Sequence, residues 1–173
     1  MPRARRARTV ITLGVAVALC LAPTALGAFA LTSTATPSFS IGLNGANRTA
    51  NYTVPLTIDN SAIGVSLTGW NATITSTRFS GGGRSLATTS STVTGVTSSC
   101  SGVCTSSPTN SITYPFAVPA GSTAPAAVKF FNAATATGIG TFTVTPTILV
   151  AIPANAYAAS YATTLTLTLA VGP

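Results

Sequence analysis

The chain contains no histidine, a single carboxylate side chain (Asp59) and a single lysine (Lys129), and charged residues are only 5% of its 173 positions. General acid–base and nucleophilic catalysis draw on histidine, on paired carboxylates, or on a lysine or cysteine of lowered pKa. Asp59 alone cannot build the carboxylate pair of a glycosidase or the oxygen cage of a calcium site. A Ser–Lys dyad would depend on Lys129, whose place between Val128 and Phe130 turns it to solvent, where an ammonium keeps its proton. The sequence therefore predicts a non-catalytic protein without cofactor or metal, and a secreted hydrolase is the disfavoured alternative.

Negative charge is nearly absent, and the formal net charge is +7, but position matters more than sum. Arg3, Arg5, Arg6 and Arg8 lie in the first eight residues; without them the charge falls from +7 to +3, spread over Arg48, Arg78, Arg84, Lys129 and Asp59. Phosphate recognition needs clustered cations, and scattered ones exclude a nucleic-acid partner.

What is present at the N terminus accounts for the arginines. They form a positive n-region, Val10 to Leu21 is an apolar run, and Thr24-Ala25-Leu26-Gly27-Ala28-Phe29-Ala30 offers small residues for cleavage after Gly27 or Ala30. Residues 1–30 are thus read as a cleaved signal peptide, 31–37 as a short linker, and 38–173 as one domain. The apolar run, interrupted by Pro23, is shorter than the roughly 20 residues that span a bilayer, so no membrane span is expected after cleavage. Cys20 lies inside the apolar run behind Leu19, which does not suit a lipidation site.

Cleavage leaves Cys100 and Cys104, and an even pair in an exported chain predicts a disulfide. The ring through Ser101, Gly102 and Val103 is small, so the entropic contribution is about 2 kcal/mol and the bridge is expected to staple a loop. Metal binding by the pair lacks further ligands, and a redox motif ordinarily spaces its cysteines by two residues.

From Phe39 onward the hydrophobic period is two. Tyr52, Val54, Leu56 and Ile58 mark one strand, with Pro55 placing it at a sheet edge or bulge. The phase changes before Trp70, Ala72 and Ile74, which predicts a bulge or bend at Gly69-Trp70. Ser80 to Gly83 reads as a turn, and the Ser/Thr-rich stretch from Thr88 to Thr109 as a surface loop. Ile112, Tyr114, Phe116 and Val118 alternate; Ala126, Val128 and Phe130 resume; Phe142, Val144, Ile148 and Val150 form a long strand interrupted by Pro146. In the last strand Tyr161, Leu165, Leu167, Leu169 and Val171 oppose Ala162, Thr164, Thr166 and Thr168. About eight or nine short strands between Gly, Pro and Asn turns predict an all-β fold, an antiparallel β-sandwich.

Trp70 is the sole tryptophan, and such a ring either anchors the core between two sheets or stacks on a sugar; Trp70 with Asn71 is the candidate binding position. Asn47, Asn51 and Asn71 each begin an Asn-X-Thr triplet.

The domain resembles the bacterial WxL surface-protein family in two blocks. Leu56-Thr57-Ile58-Asp59-Asn60 leads to Gly69-Trp70-Asn71-Ala72-Thr73 and Phe79, and Ile152-Pro153-Ala154-Asn155-Ala156 leads to Tyr161 through Leu169 and Gly172-Pro173. The first block reads Trp70-Asn71-Ala72 where the family has leucine after the spacer, and Leu167 stands where the family places its second tryptophan. The resemblance implies export by a Gram-positive bacterium, with a signal segment of actinobacterial style, and a β-rich domain held non-covalently on peptidoglycan or on partner surface proteins. Its expected place is extracellular or at the cell wall. The alternative is a structural subunit that assembles through sheet edges into a pilus, coat or surface layer.

Overall fold

The structure, a computed structural model of the 173-residue chain, describes residues 10–21, 29–61 and 67–173. The arginines of the n-region, the small residues from Thr24 to Ala28, and Val65 lie outside the described residues. Among the described residues there are fourteen strands and no helix.

Two sheets face each other. One contains β1 (Val10–Leu21), β3 (Ser38–Gly42), β6 (Trp70–Thr77), β7 (Ser80–Gly81), β8 (Arg84–Ser85), β11 (Ala120–Gly121), β12 (Val128–Ala133) and β14 (Ser160–Val171). The other contains β2 (Phe29–Thr32), β4 (Arg48–Thr53), β5 (Leu56–Asn60), β9 (Ser91–Ser106), β10 (Phe116–Ala117) and β13 (Ile139–Ile152). We call them sheets A and B. The expected β-sandwich is the fold of the chain. Pairing is antiparallel except that β1 runs parallel to β14 and β11 parallel to β6.

The core follows the alternation. Ile74, Phe79, Phe130, Tyr161, Leu165, Leu167 and Leu169 point inward from sheet A's side, and Leu56, Ile58, Phe142, Val144, Ile148 and Val150 from sheet B. Phe39 of β3 stacks on Tyr52 of β4 with centroids 5.9 Å apart, joining the sheets at one end. Val171, expected on the same face as Leu169, is 45% exposed, because the strand leaves the core at its end.

Proline positions explain the breaks. Tyr52 through Ile58 is not one strand but two, β4 and β5, both paired with β13 in the same register, with the ladder interrupted at Val54-Pro55. Pro146 lies opposite that gap; Val54 N–H donates to its carbonyl at 3.2 Å, and Pro146 has no N–H to return. A proline therefore sits inside β13, which has neighbours on both sides, without interrupting it.

Two expectations are corrected. The stretch from Thr88 to Thr109 is no loop: Ser91–Ser106 forms β9, paired along β13. Serine and threonine fit a half-exposed ladder, and with Val93 almost the only inward apolar anchor the sequence has little amphipathic signal to betray it. The alternation from Ile112 to Val118 yields only the two-residue β10. There the backbone bonds to side chains instead: Asn132 Oδ1 accepts from Ser111 N–H at 2.8 Å, and Asn110 Oδ1 accepts from Asn132 N–H at 3.1 Å. The bulge or bend expected at Gly69-Trp70 is a bend: φ of Gly69 is 74° and β6 starts at the next residue, while a bulge lies across the ladder in β12, between Lys129 and Phe131.

Two N-terminal segments have definite places. Leu31, read as linker, is fully buried in β2, which pairs with β5. Val10 to Leu21, read as the apolar run of the leader, is β1, between β14 and β3.

Candidate functional site

Trp70 and Asn71 open β6 just after the bend at Gly69, Trp70 turned to the core and Asn71 to the opposite face of the sheet. Trp70 is 0% exposed; its ring tilts against Phe131 with centroids 5.6 Å apart, and its indole N–H donates to the Gly138 carbonyl at 2.9 Å. The same carbonyl accepts from Asn60 Nδ2 at 2.9 Å. Gly138 has φ 64°, and a Cβ there would lie 2.7 Å from the Ala133 Cβ and 2.8 Å from the Trp70 indole nitrogen, so only glycine fits. Asn71 is 7% exposed and its Nδ2 donates to the Gly172 carbonyl at 2.7 Å. Lys129, exposed as expected, donates from Nζ to the Pro173 carbonyl at 2.6 Å.

These contacts bring the two sequence blocks together: Asn60, Trp70 and Asn71 from the first, Gly172-Pro173 from the end. They give both candidate binding residues structural partners and leave no ring face of Trp70 for a ligand. Asn71 is likewise withdrawn from its Asn-X-Thr triplet, whereas Asn47 and Asn51 are exposed.

The predicted bridge between Cys100 and Cys104 is present, with the Cα atoms 6.1 Å apart. It lies inside β9 and not in a loop. Cys100 pairs with Phe142 and Cys104 with Gly140, so five residues of β9 span three of β13 and the disulfide closes over the resulting bulge.

The surface that sequence reasoning did not single out is the outer face of sheet B. Thr141, Thr143, Thr145 and Thr147 leave β13 on the side away from the core, at every second position. Thr57 and Ser99 flank Thr143, Thr53 flanks Thr147, and Thr97 flanks Thr145. Strand geometry spaces such positions about 6.7 Å along a strand and about 4.8 Å between strands. Each hydroxyl both donates and accepts, so this grid can pair with a partner rich in hydroxyl and amide groups. The signal was legible as Thr141-Phe142-Thr143-Val144-Thr145-Pro146-Thr147, once its apolar members are assigned to the core.

At one end of sheet B, Asn47, Arg48, Thr49, Ser90, Ile152 and Pro153 help line an open cleft of about 260 Å³. Arg48 is its charged member, and Asn47 Oδ1 accepts from Ala154 N–H at 2.9 Å. Among the described residues no three His, Cys, Asp or Glu side chains gather into a metal site, and no helix is long and apolar enough to cross a membrane.

Fold and surface together define a two-sheet β protein with a hydroxyl-rich face that carries Asp59 beside Thr141. No protein-family model matches the chain, and no curated protein matches it either.

Proposed function

We propose that this is an exported, non-catalytic surface protein that associates non-covalently with the cell wall or with partner surface proteins through the outer face of sheet B. One observation carries the reading: eight hydroxyl residues, four on β13 and four on the strands beside it, stand in register on one face, where Asp59 beside Thr141 is the charged position. Glycan hydroxyls and peptide amides are matched by such a grid, and Arg48 at the end of the sheet adds one cation for a carboxylate or phosphate. The near absence of proton-handling side chains favours binding over turnover.

The test is sedimentation with purified peptidoglycan. Changing Thr143, Thr145 and Thr147 together to valine removes the hydroxyls while keeping shape and strand preference. Binding is expected to fall at least tenfold, with thermal stability retained. Wild-type protein that stays in the supernatant, both with peptidoglycan and with whole walls bearing their surface proteins, refutes the reading.

A second reading, a structural subunit joined through sheet edges, draws on the position of β1.

A further inference from the structure

β1 occupies a slot one strand wide. Thr12 to Leu21 pair in parallel with Ser160 to Leu169 of β14, and Val10 to Gly14 pair antiparallel with Gly42 to Ser38 of β3. Ile11 and Leu13 are fully buried and Val15 nearly so, while Val17 packs partly against the same core. Val15 N–H also donates to the Pro37 carbonyl at 3.0 Å. β1 therefore contributes backbone bonds on both flanks and a row of aliphatic side chains to the interior.

We infer that the exported domain is a strand acceptor: the slot between β14 and β3 is filled after processing by a strand from a different protein. This rests on the export reading above, in which residues 1–30 are removed. Removal takes β1 away, strips β14 of the ladder on that flank over ten residues while β6 stays paired on the other, and opens the row Leu165, Leu167 and Leu169 beside the gap. A long unpaired edge beside an open apolar groove is a template for strand addition.

The resident strand specifies the occupant. It runs parallel to β14, extended over about ten residues, with branched aliphatic side chains at four alternate positions matching Ile11, Leu13, Val15 and Val17. Between them stand Thr12, Gly14 and Ala16; a Cβ at Gly14 would meet nothing within 4 Å, so those positions tolerate variety. β14 and β3 are two ladder spacings apart, about 9.6 Å, which admits one strand and no folded edge. A second copy is a poor donor, because its own leading strand β2 is committed to β5 with Leu31 buried.

The experiment uses the full chain carrying a specific protease site between Leu21 and Phe29. After the cut, a fluorescein-labelled Val10–Leu21 peptide is added, and exchange is followed by anisotropy and native mass spectrometry, with hydrogen exchange of the β14 amides. The expected result is one-to-one replacement of the resident fragment, at least tenfold weaker uptake of a peptide carrying Leu13→Asp, and protection of those β14 amides that face the slot only when it is filled. Protection of the slot-facing β14 amides that is unchanged after the fragment is washed out, with no uptake, overturns the proposal. Concentration-dependent polymers of the stripped protein overturn the assignment to a different donor and favour a second copy. The N terminus of the exported protein is sequenced separately: a start at Ala28 or Leu31 supports the proposal, and a start upstream of Val10 refutes both processing and an outside donor even where exchange succeeds. Loss of peptidoglycan binding in the sedimentation assay leaves these outcomes unaffected, so the two readings fail independently.

Discussion

The indole N–H of Trp70 and the carbonyl of Gly138 meet at 2.9 Å in the sealed interior, and Asn60 Nδ2 reaches the same oxygen. One carbonyl thus ties the start of β6 to the end of β5 through the turn that precedes β13. It makes the spacing of the first sequence block a matter of folding rather than ligand contact.

Truncating Trp70 to alanine is expected to cost about 3–5 kcal/mol, as for other buried large aromatic side chains. Urea unfolding measures it. A cost under about 1 kcal/mol would contradict the packing described.

The shared carbonyl makes Trp70 and Asn60 non-additive. Trp70→Phe leaves Gly138 O paired with Asn60, and Asn60→Leu leaves it paired with Trp70 while removing Asn60 Oδ1, a buried acceptor without a partner. The double variant orphans the oxygen, so its loss exceeds the sum of the single losses by about 1–3 kcal/mol. Strict additivity in a double-mutant cycle would rule out the shared bond.

Gly138→Ala must place a methyl group against Ala133 and the Trp70 indole at positive φ. A loss of roughly 1–3 kcal/mol is expected from overpacking, accompanied by a changed tryptophan emission spectrum. Gly14→Ala, where a Cβ meets nothing, is the control and leaves both unchanged.

Reduction of the Cys100–Cys104 bridge is expected to lower stability by about 2 kcal/mol without unfolding the domain, since the crosslinked ring is small. Hydrogen exchange then locates the change in β9 near the bulge, with β14 untouched. Global unfolding on reduction would show that the bridge holds more than its own strand.

Burial raises the Tyr52 hydroxyl well above its ordinary value of 10, and burial also raises Tyr114, offset in part by the hydrogen bond from Asn110. The folded state therefore favours the neutral phenols. Their contribution is complete below about pH 10 and is lost as the pH climbs through the folded-state values. With no histidine in the chain, the urea midpoint is expected to be level from pH 6 to 9 and to fall above 10. Tyr52→Phe should remove part of that alkaline fall; an unchanged slope would place the ionising group elsewhere.

Particular elements show what could be read in advance. Tyr161 to Leu169 alternates so regularly that strand, face and inward residues all follow, and the turn at Gly82-Gly83 follows from glycine alone. β9 escaped because a strand whose outward positions are Ser and Thr looks like a loop until β13 pairs with it. The segment before Phe116 misled in the other direction: its alternation survives as partial burial, but asparagine side chains take up the backbone bonds that a strand would have used.

By itself the sequence determined the fold class, the disulfide pair and the scarcity of proton-handling groups, because hydrophobic period, cysteine number and residue inventory are properties of the chain alone. Only the tertiary structure decided that Trp70 faces the core and that Asn71 is covered, that the threonines of β13 form a grid with their neighbours, and that Val10 to Leu21 fits between β14 and β3. Those outcomes depend on which segments lie side by side, and pairing partners brought together from distant parts of the chain leave no mark in local pattern.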